Sequence, residues 1–244
     1  MLGKDQHSSK KLISDKDSNT KMTILFFSII ILCCSLDTYQ RNRVWEGEVA
    51  LWYDCVLRSP YKARPHNNLG LAYNNKRILD EAISEYKQAI AVNPNYAKAH
   101  NNLGNVYNKM GRLDEAISEY KKALAINHNL AEAHDNLGLS YYKKGMLSKA
   151  ISEYKKALAI NHNNTKAHNN LGYVYNKMGR LDEAISEYKQ AIAVNPNYAK
   201  AHDNLSIAYY SQGNYRLAIF HYDKAVELGM SINPKLSELL KHYR

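Results

Sequence analysis

Cysteine, proline and tryptophan are scarce in this chain of 244 residues, which contains 3, 5 and 2 of them, respectively. Three cysteines, with Cys33 and Cys34 adjacent, are too few for a disulfide framework and leave the redox compartment open. Few prolines and only 11 glycines argue against disorder beyond the polar N-terminal head. Acidic residues are also in the minority, because 33 Lys and Arg face 23 Asp and Glu and leave a net charge of +10.

A short string, His-x-Asn-Leu-Gly, returns along the chain at a fixed step of 34 residues. It begins at His66, His100, His134, His168 and His202, and in the last copy Ser206 replaces the glycine. The same step repeats a tyrosine and an alanine from Tyr73 and Ala82, and again from Tyr86 and Ala89. A period of this length indicates an array of stacked structural repeats.

Each repeat has the pattern of two short helices. In the second copy, small and apolar residues from Ala99 to Met110 follow the i, i+3, i+4 spacing of one helix face, and those from Leu113 to Leu124 follow it again. Gly111 separates the two stretches and is the residue that most easily ends a helix in a left-handed conformation. Gly104 and Ala116 are small where we expect the two helices to cross most closely.

These positions resemble the tetratricopeptide repeat, over five copies and about three quarters of the chain. The resemblance implies an all-α fold, a right-handed superhelical α-solenoid of helical hairpins in which each repeat contacts its neighbours. We expect five repeats at residues 63–232 and a capping helix at residues 233–244, where Asn233 is an N-cap followed by Pro234. Leu236, Leu239, Leu240 and Tyr243 are expected on one face of that helix.

The N-terminal region predicts a membrane anchor. Residues 1–21 form a polar head, and the uncharged run from Met22 to Leu36 leads to a predicted transmembrane segment at residues 22–40. Fifteen residues of helix rise only about 22 Å, less than the ~30 Å hydrocarbon core, so a signal sequence and a buried helix remain alternatives. Five lysines before the run, against Arg41, Arg43 and Arg58 after it, favour a single-pass membrane protein with its repeats on the extracytoplasmic side.

Residues 41–62 are expected to hold a linker and one helix of an incomplete leading repeat, from about Val44 to Arg58. This junction, with Tyr39-Gln40-Arg41-Asn42, Trp45 and Ser59-Pro60, resembles the last transmembrane segment and linker of polytopic repeat proteins similar to transmembrane O-mannosyltransferases. That resemblance implies an alternative function, the C-terminal accessory domain of a membrane glycosyltransferase whose catalytic part lies outside this chain.

Motifs for catalysis and cofactor binding are missing from the sequence. It has no Gly-rich phosphate loop, no nucleophile elbow and no H-E-x-x-H. The acidic pairs Asp80-Glu81, Asp114-Glu115 and Asp182-Glu183 open second helices, where negative charge suits the helix dipole. The repeated histidines are expected to pack, because equivalent residues of stacked helices lie roughly 8–10 Å apart and cannot share a zinc ion. We therefore expect no enzyme activity, no cofactor and no metal ion.

The opposite face of each first helix carries the candidate binding residues. An asparagine precedes the signature leucine in every copy, and the family resemblance places it on the concave face. A similar ladder holds peptide backbone in the repeats of the O-linked N-acetylglucosamine transferases. Asparagine offers both a donor and an acceptor to an extended peptide. The ladder comprises Asn68, Asn102, Asn136, Asn170 and Asn204. Lysines flank it at Lys98, Lys166 and Lys200, and at Lys109, Lys143 and Lys177.

Residues 79–100 and 181–202 are identical, so the array has the mark of recent duplication, and identity between copies can reflect copying instead of need. Positions that vary between copies are therefore more informative, and two such rows are expected to determine specificity. The varying candidates are Asn105, Asn108, Tyr142, Tyr173, Asn176 and Tyr210. The sequence thus predicts a membrane-tethered module that binds an extended, acidic protein or peptide in a basic, Asn-lined groove. The alternative is that Asn and Lys are only solvated surface. Binding of nucleic acid is not expected, because the lysines lie on several faces.

Overall fold

The computed structural model describes residues 22, 25–36, 47–231 and 233–243, and every regular element within these ranges is helical. The chain divides after Pro60 into two compact units. The first unit holds α1, described over residues 25–36, and α2, Glu48–Arg58. Helix α2 provides the helix that the sequence predicts between Val44 and Arg58, and its assignment to a leading repeat stays a prediction.

The predicted membrane span is wrong. Among the described residues, none of the helices combines the length and the apolar character needed to cross a bilayer. The prediction of a single-pass protein with extracytoplasmic repeats is therefore corrected. The polar head at residues 1–21, residues 37–40 of the expected span, and the junction segment from Tyr39 to Trp45 lie outside the described residues.

The second unit consists of five helical hairpins followed by one further helix. The first helices of the hairpins are α3 (Ala63–Asn75), α5 (Ala97–Lys109), α7 (Ala131–Lys143), α9 (Thr165–Lys177) and α11 (Ala199–Ser211). The second helices are α4 (Leu79–Val92), α6 (Leu113–Ile126), α8 (Leu147–Ile160), α10 (Leu181–Val194) and α12 (Tyr215–Glu227). Each second helix packs on its own first helix and, up to α10, on the first helix of the following hairpin. This arrangement is an α-solenoid, and it confirms the predicted fold class.

The turn inside each hairpin is a left-handed residue, as the glycine pattern predicts. Gly111, Gly145 and Gly179 have φ between 74° and 75°. In the first hairpin, Arg77 takes this position with φ 62°. A residue with a Cβ is strained in that conformation. The first turn therefore keeps the common geometry at a conformational cost that the glycines of the other turns avoid.

Small residues and tyrosines form the core of each hairpin. Tyr120 is fully buried, and a Cβ on Gly104 would lie only 2.6 Å from its ring. In the fourth hairpin, a Cβ on Gly172 would lie 3.1 Å from the carbonyl oxygen of Ala184, which shows how closely α9 approaches α10. The helices therefore cross where the sequence pattern places its small residues.

Helix α13, Pro234–Lys241, closes the array. The side chain of Asn233 accepts a hydrogen bond from the backbone N–H of Leu236 at 3.2 Å, which confirms the predicted N-cap. Leu236 and Leu240 are buried, but Leu239 is exposed. Tyr243 is also exposed, although its ring stacks on Tyr215 at 3.6 Å. The apolar face of this helix is thus narrower than the sequence predicts.

Candidate functional site

The asparagine ladder joins neighbouring repeats. Asn102 donates from Nδ2 to Oδ1 of Asn67 at 3.0 Å, and Asn136 donates in the same way to Asn101 at 3.3 Å. Asn204 donates to Oδ1 of Asn169 at 2.8 Å. Each acceptor lies 35 residues before its donor, in the preceding first helix, so the ladder amides stabilise the stack as well as facing outward.

These bonds use one N–H of each ladder amide and leave the second N–H and the side-chain oxygen of Asn102 and Asn136 for another partner. Asn68, Asn102, Asn136 and Asn170 are half-buried. Asn204 is buried, so it has the least access to a ligand. The ladder is therefore less accessible in the fifth repeat than in the first four.

A second row of hydrogen bonds runs beside the ladder. Lys109 donates from Nζ to Oδ1 of Asn74 at 2.8 Å, and Lys143 donates to Oδ1 of Asn108. Asn108 is buried, and its Nδ2 donates to the hydroxyl oxygen of Ser140 at 2.6 Å. The lysines of this row are thus held beside amides and present their charge at the surface.

Tyrosines replace this amide row in the middle of the array. The rings of Tyr142 and Tyr173 meet edge to face, with their centroids 5.5 Å apart. The ammonium group of Lys177 lies 5.4 Å from the centroid of the Tyr173 ring. Further along, Tyr210 packs against Tyr215 with centroids 5.5 Å apart. In the two rows that vary between copies, the surface is therefore rich in amides at the second repeat and aromatic at the third and fourth repeats.

Three cavities lie along the first helices. The amide cavity, about 330 Å³, is lined by Asn74, Asn105, Asn108, Lys109, Tyr120, Asn136, Leu139 and Lys143. The tyrosine cavity, about 300 Å³, is lined by Leu139, Tyr142, Tyr154, Asn169, Asn170, Tyr173 and Lys200. The lysine cavity, about 620 Å³, is lined by Ala131, Glu132, Asp135, Asn136, Leu139, Asn161, Asn164, Lys166, Asn170, Tyr198 and Lys200. We call this row of cavities the groove, and Leu139 lines all three.

The groove brings together most of the predicted binding residues. Those that line it are Asn105, Asn108, Lys109, Asn136, Tyr142, Lys143, Lys166, Asn170, Tyr173 and Lys200. Those outside its three cavities are Asn68, Lys98, Asn102, Asn176, Lys177, Asn204 and Tyr210. The three cavities are therefore lined mainly by residues of the second to fourth repeats.

Asp135 is the one carboxylate whose pKa is raised strongly in the groove. Burial raises the pKa of Asp135 to about 6, although a hydrogen bond with Asn170 and the charge of Lys166 oppose the shift. Its Oδ1 is buried and accepts no hydrogen bond. The preceding and following copies have Asn101 and Asn169 in the same position. An ionised aspartate here costs stability because the site removes it from water.

We expect Asp135→Asn to stabilise the protein by about 1 kcal/mol at pH 8. The folded pKa lies above the usual aspartate value, so the cost is absent below about pH 4, grows between pH 4 and 6, and is fully present above that interval. Urea denaturation at pH 4.5 and pH 8 measures the difference. Glu238→Gln, a change of the same kind at an exposed carboxylate, is the control. An equal gain at both pH values would show that ionisation of Asp135 is not the cause.

The repeated histidines are paired with glutamates. Nδ1 of His100 lies 2.6 Å from Oε2 of Glu119, and the same contact recurs 34 residues later between His134 and Glu153. The first and fourth repeats have corresponding pairs at 2.7 Å. This glutamate row was not predicted, although a glutamate 19 residues after each of four histidines was visible in the sequence.

His168 shows the charge state that such a site favours. Its Nδ1 lies 2.7 Å from Glu187, and its Nε2 lies 3.0 Å from the carbonyl oxygen of His162. Both neighbours are acceptors, so the ring can satisfy both only by donating from each nitrogen. The hydrogen bond to Glu187 raises the pKa of His168, despite the opposing effect of burial. Through the described part of the chain, no three His, Cys, Asp or Glu side chains are grouped to hold a metal ion.

The fifth repeat departs from this pattern. His221 occupies the glutamate position, and its Nδ1 lies 3.0 Å from Nδ1 of His202. Burial, together with the nearby charges of His202 and Lys189, lowers the pKa of His221 to about 4. Only one proton can lie between two such nitrogens, so this repeat resists full protonation of the pair.

Sequence profiles identify the fold family of the repeat unit. The profile described as "TPR repeat" matches residues 79–111, 104–145, 140–179 and 172–213, and "Tetratricopeptide repeat" matches residues 199–230. These matches cover more than half of the chain. The chain therefore belongs to the tetratricopeptide repeat family. Repeats of this family generally serve as protein-interaction scaffolds, and this chain is such a module.

Solved structures with the same fold support this assignment. YrrB, described as a TPR protein with an unusual peptide-binding site, is 24% identical, with 78% of this chain and 97% of YrrB covered and a TM-score of 0.62. MamA is 30% identical, with 66% of this chain and 94% of MamA covered and a TM-score of 0.60. PilF of Pseudomonas aeruginosa is 21% identical, with 74% of this chain and 85% of PilF covered and a TM-score of 0.68.

A search of curated proteins gave no match. The resemblance of the N-terminal junction to O-mannosyltransferase membrane segments is therefore not supported by any of these similarities. It concerns residues that largely precede the first matched repeat at residue 79. The alternative function as a glycosyltransferase accessory domain has no further observation in its favour.

Proposed function

We propose that this chain binds an extended, acidic protein segment along the groove. The observation that carries the proposal is the alignment of three cavities on the first helices of consecutive repeats, lined by amides and lysines. Asparagine side chains can pair with successive backbone groups of an extended peptide, because each offers a donor and an acceptor. YrrB has the same fold and is described as having a peptide-binding site, which supports this class of ligand.

Charge supports an acidic partner. The groove is lined by Lys109 and Lys143 at one end and by Lys166 and Lys200 at the other. The acidic residues that line the groove are Glu132 and Asp135, and burial raises the pKa of Asp135 to about 6. Exposed lysines act mainly by accelerating association, an effect that added salt reduces. The absence of enzyme activity stays a prediction, because the proposal concerns binding only.

Substitution of Asn102, Asn136 and Asn170 by alanine tests the proposal. A degenerate library of peptides about 12 residues long, enough to span several repeats when extended, would be screened against the full-length chain, and the tightest peptide titrated against variants. If the ladder holds peptide backbone, the triple variant should bind about tenfold more weakly or worse, because each lost bond is worth roughly 0.5–1.5 kcal/mol. The same change also removes bonds between repeats, so circular dichroism must show that the variant is folded at the assay temperature.

A matched control makes the same chemical change elsewhere. Asn95, Asn129 and Asn197 are exposed and occupy equivalent positions in the loops that follow the first, second and fourth repeats' second helices. Their triple alanine variant should keep the affinity of the wild type. Removing Lys109 and Lys143 should slow association and reduce its salt dependence, whereas removing Lys87 and Lys121 on the second helices should not. Unchanged affinity in both groove variants would exclude the groove as the binding site.

A further inference from the structure

One amide beside the ladder lacks a partner for its donor. Asn169 is 1% exposed, and its Oδ1 accepts the bond from Asn204 at 2.8 Å. Its Nδ2, however, is buried without an acceptor. The equivalent Asn101 donates from Nδ2 to Glu132 at 3.2 Å. Buried N–H groups are almost always paired in proteins, so the unpaired donor of Asn169 requires an acceptor.

The sequence explains why the fourth repeat differs. The residue 31 positions after Asn101 is Glu132, an acceptor, whereas the residue 31 positions after Asn169 is Lys200. An ammonium group can only donate, so it cannot replace the glutamate. Asn169 and Lys200 therefore supply two donors, and both line the tyrosine cavity.

The walls of that cavity fit a short chain of methylene groups. Tyr142 and Tyr173 stand edge to face, and Leu139 lines the same space. Lys200 is exposed, so the cavity is open to the surface at its charged end. Its volume of about 300 Å³ exceeds what one side chain needs, which leaves room for the backbone of a segment passing over it.

We infer that the tyrosine cavity binds a carboxylate of the extended segment, held by Asn169 and Lys200, with the attached methylene groups packed against the two tyrosine rings. An ionised acceptor is the strongest complement to an amide and an ammonium donor. A side-chain carboxylate of glutamate suits the cavity better than a chain terminus, because the cavities continue on both sides of it. The inference rests on the proposed function and adds to it a preferred residue at one position of the ligand.

The same peptide library tests the inference when both peptide ends are blocked. We expect selection of glutamate or aspartate over glutamine at one position. In the tightest peptide, replacing that residue by glutamine should weaken binding about tenfold. The same peptide with a free and with an amidated C-terminus distinguishes the two sources of carboxylate. A requirement for the free terminus would overturn the assignment to a side chain.

Asn169→Asp locates the carboxylate. Aspartate keeps the oxygen that accepts from Asn204 but replaces the donor by an acceptor, and the same position already holds aspartate at Asp135 and Asp203. The variant should therefore fold and should lose the preference for glutamate over glutamine, as should Lys200→Gln. Asn67→Asp, the same change in the first repeat, should keep the preference.

The outcomes separate the two proposals. Peptides that bind with no acidic preference, or with a preference that survives both Asn169→Asp and Lys200→Gln, would overturn the inference and leave the groove in place. If the full-length chain binds none of the library peptides, the proposed function and the inference both fail.

Discussion

Ala184→Leu is expected to lower the free energy of unfolding by about 3 kcal/mol. Ala184 is fully buried, and its carbonyl oxygen lies 3.1 Å from the position of a Cβ on Gly172. The additional carbon atoms of leucine must therefore separate α9 from α10 or force neighbouring side chains from their preferred rotamers. Tyr188 is also fully buried, and a Cβ on Gly172 would lie only 2.8 Å from its ring, so this crossing is closely packed. Urea denaturation of the full-length chain, followed by circular dichroism, measures the loss.

Ala193→Leu is the matched control, because Ala193 lies on the same helix and is exposed. It should change stability by less than about 0.5 kcal/mol. Ala116→Leu should repeat the loss in the second repeat, where Ala116 is equally buried. Equal stability of the buried and exposed variants would contradict the assignment of the packed face.

His221→Glu is expected to stabilise the protein by about 2 kcal/mol at pH 5 and by less at pH 7. The folded pKa of His221, about 4, lies below the usual histidine value. The unfolded chain therefore binds more protons as pH falls from about 6.5 towards 4, and the wild type loses stability in that interval. Glutamate removes this loss and can accept from His202, as Glu119 accepts from His100.

Glu153→His makes the reciprocal change in the third repeat and should create the sensitivity that His221→Glu removes. It places a second histidine opposite His134, and it also removes the contact of Glu153 with Lys156. Melting temperatures measured at pH 5, 6 and 7 would show opposite changes of slope in the two variants. If the slope of His221→Glu equals that of the wild type, the pair of His202 and His221 does not determine the acid response.

Much of the fold follows from the sequence because each requirement occurs five times. The small residue at Ala116 and the tyrosine at Tyr120 recur at the same spacing, and a chance pattern would not persist over consecutive copies. Arg77 shows that the hairpin forms even where the glycine signal is missing, since the packing of the surrounding helices determines the turn. The predicted order of hairpins and capping helix therefore agrees with the structure.

The contacts within the candidate site were less predictable, because they join residues that approach only after stacking. Asn102 reaches Asn67 across 35 residues, and His100 reaches Glu119 across a hairpin turn. Neither pairing follows from the spacing along one helix. The membrane prediction failed for a simpler reason, because none of the described helices is both long and apolar enough to cross a bilayer.

The identical segments at residues 79–100 and 181–202 have a consequence for how such a chain can change in length. Their starts are 102 residues apart, since 181 minus 79 is 102, and this equals three repeats of 34. Unequal recombination between the two segments would join α3 to a helix identical to α4 and then to α11, which already packs on α10. The shorter protein would create no new interface between consecutive helices, yet it would lose Tyr142, Tyr173 and Asn169. One recombination event can thus change the ligand preference of the array while it reuses interfaces between consecutive helices that are already present.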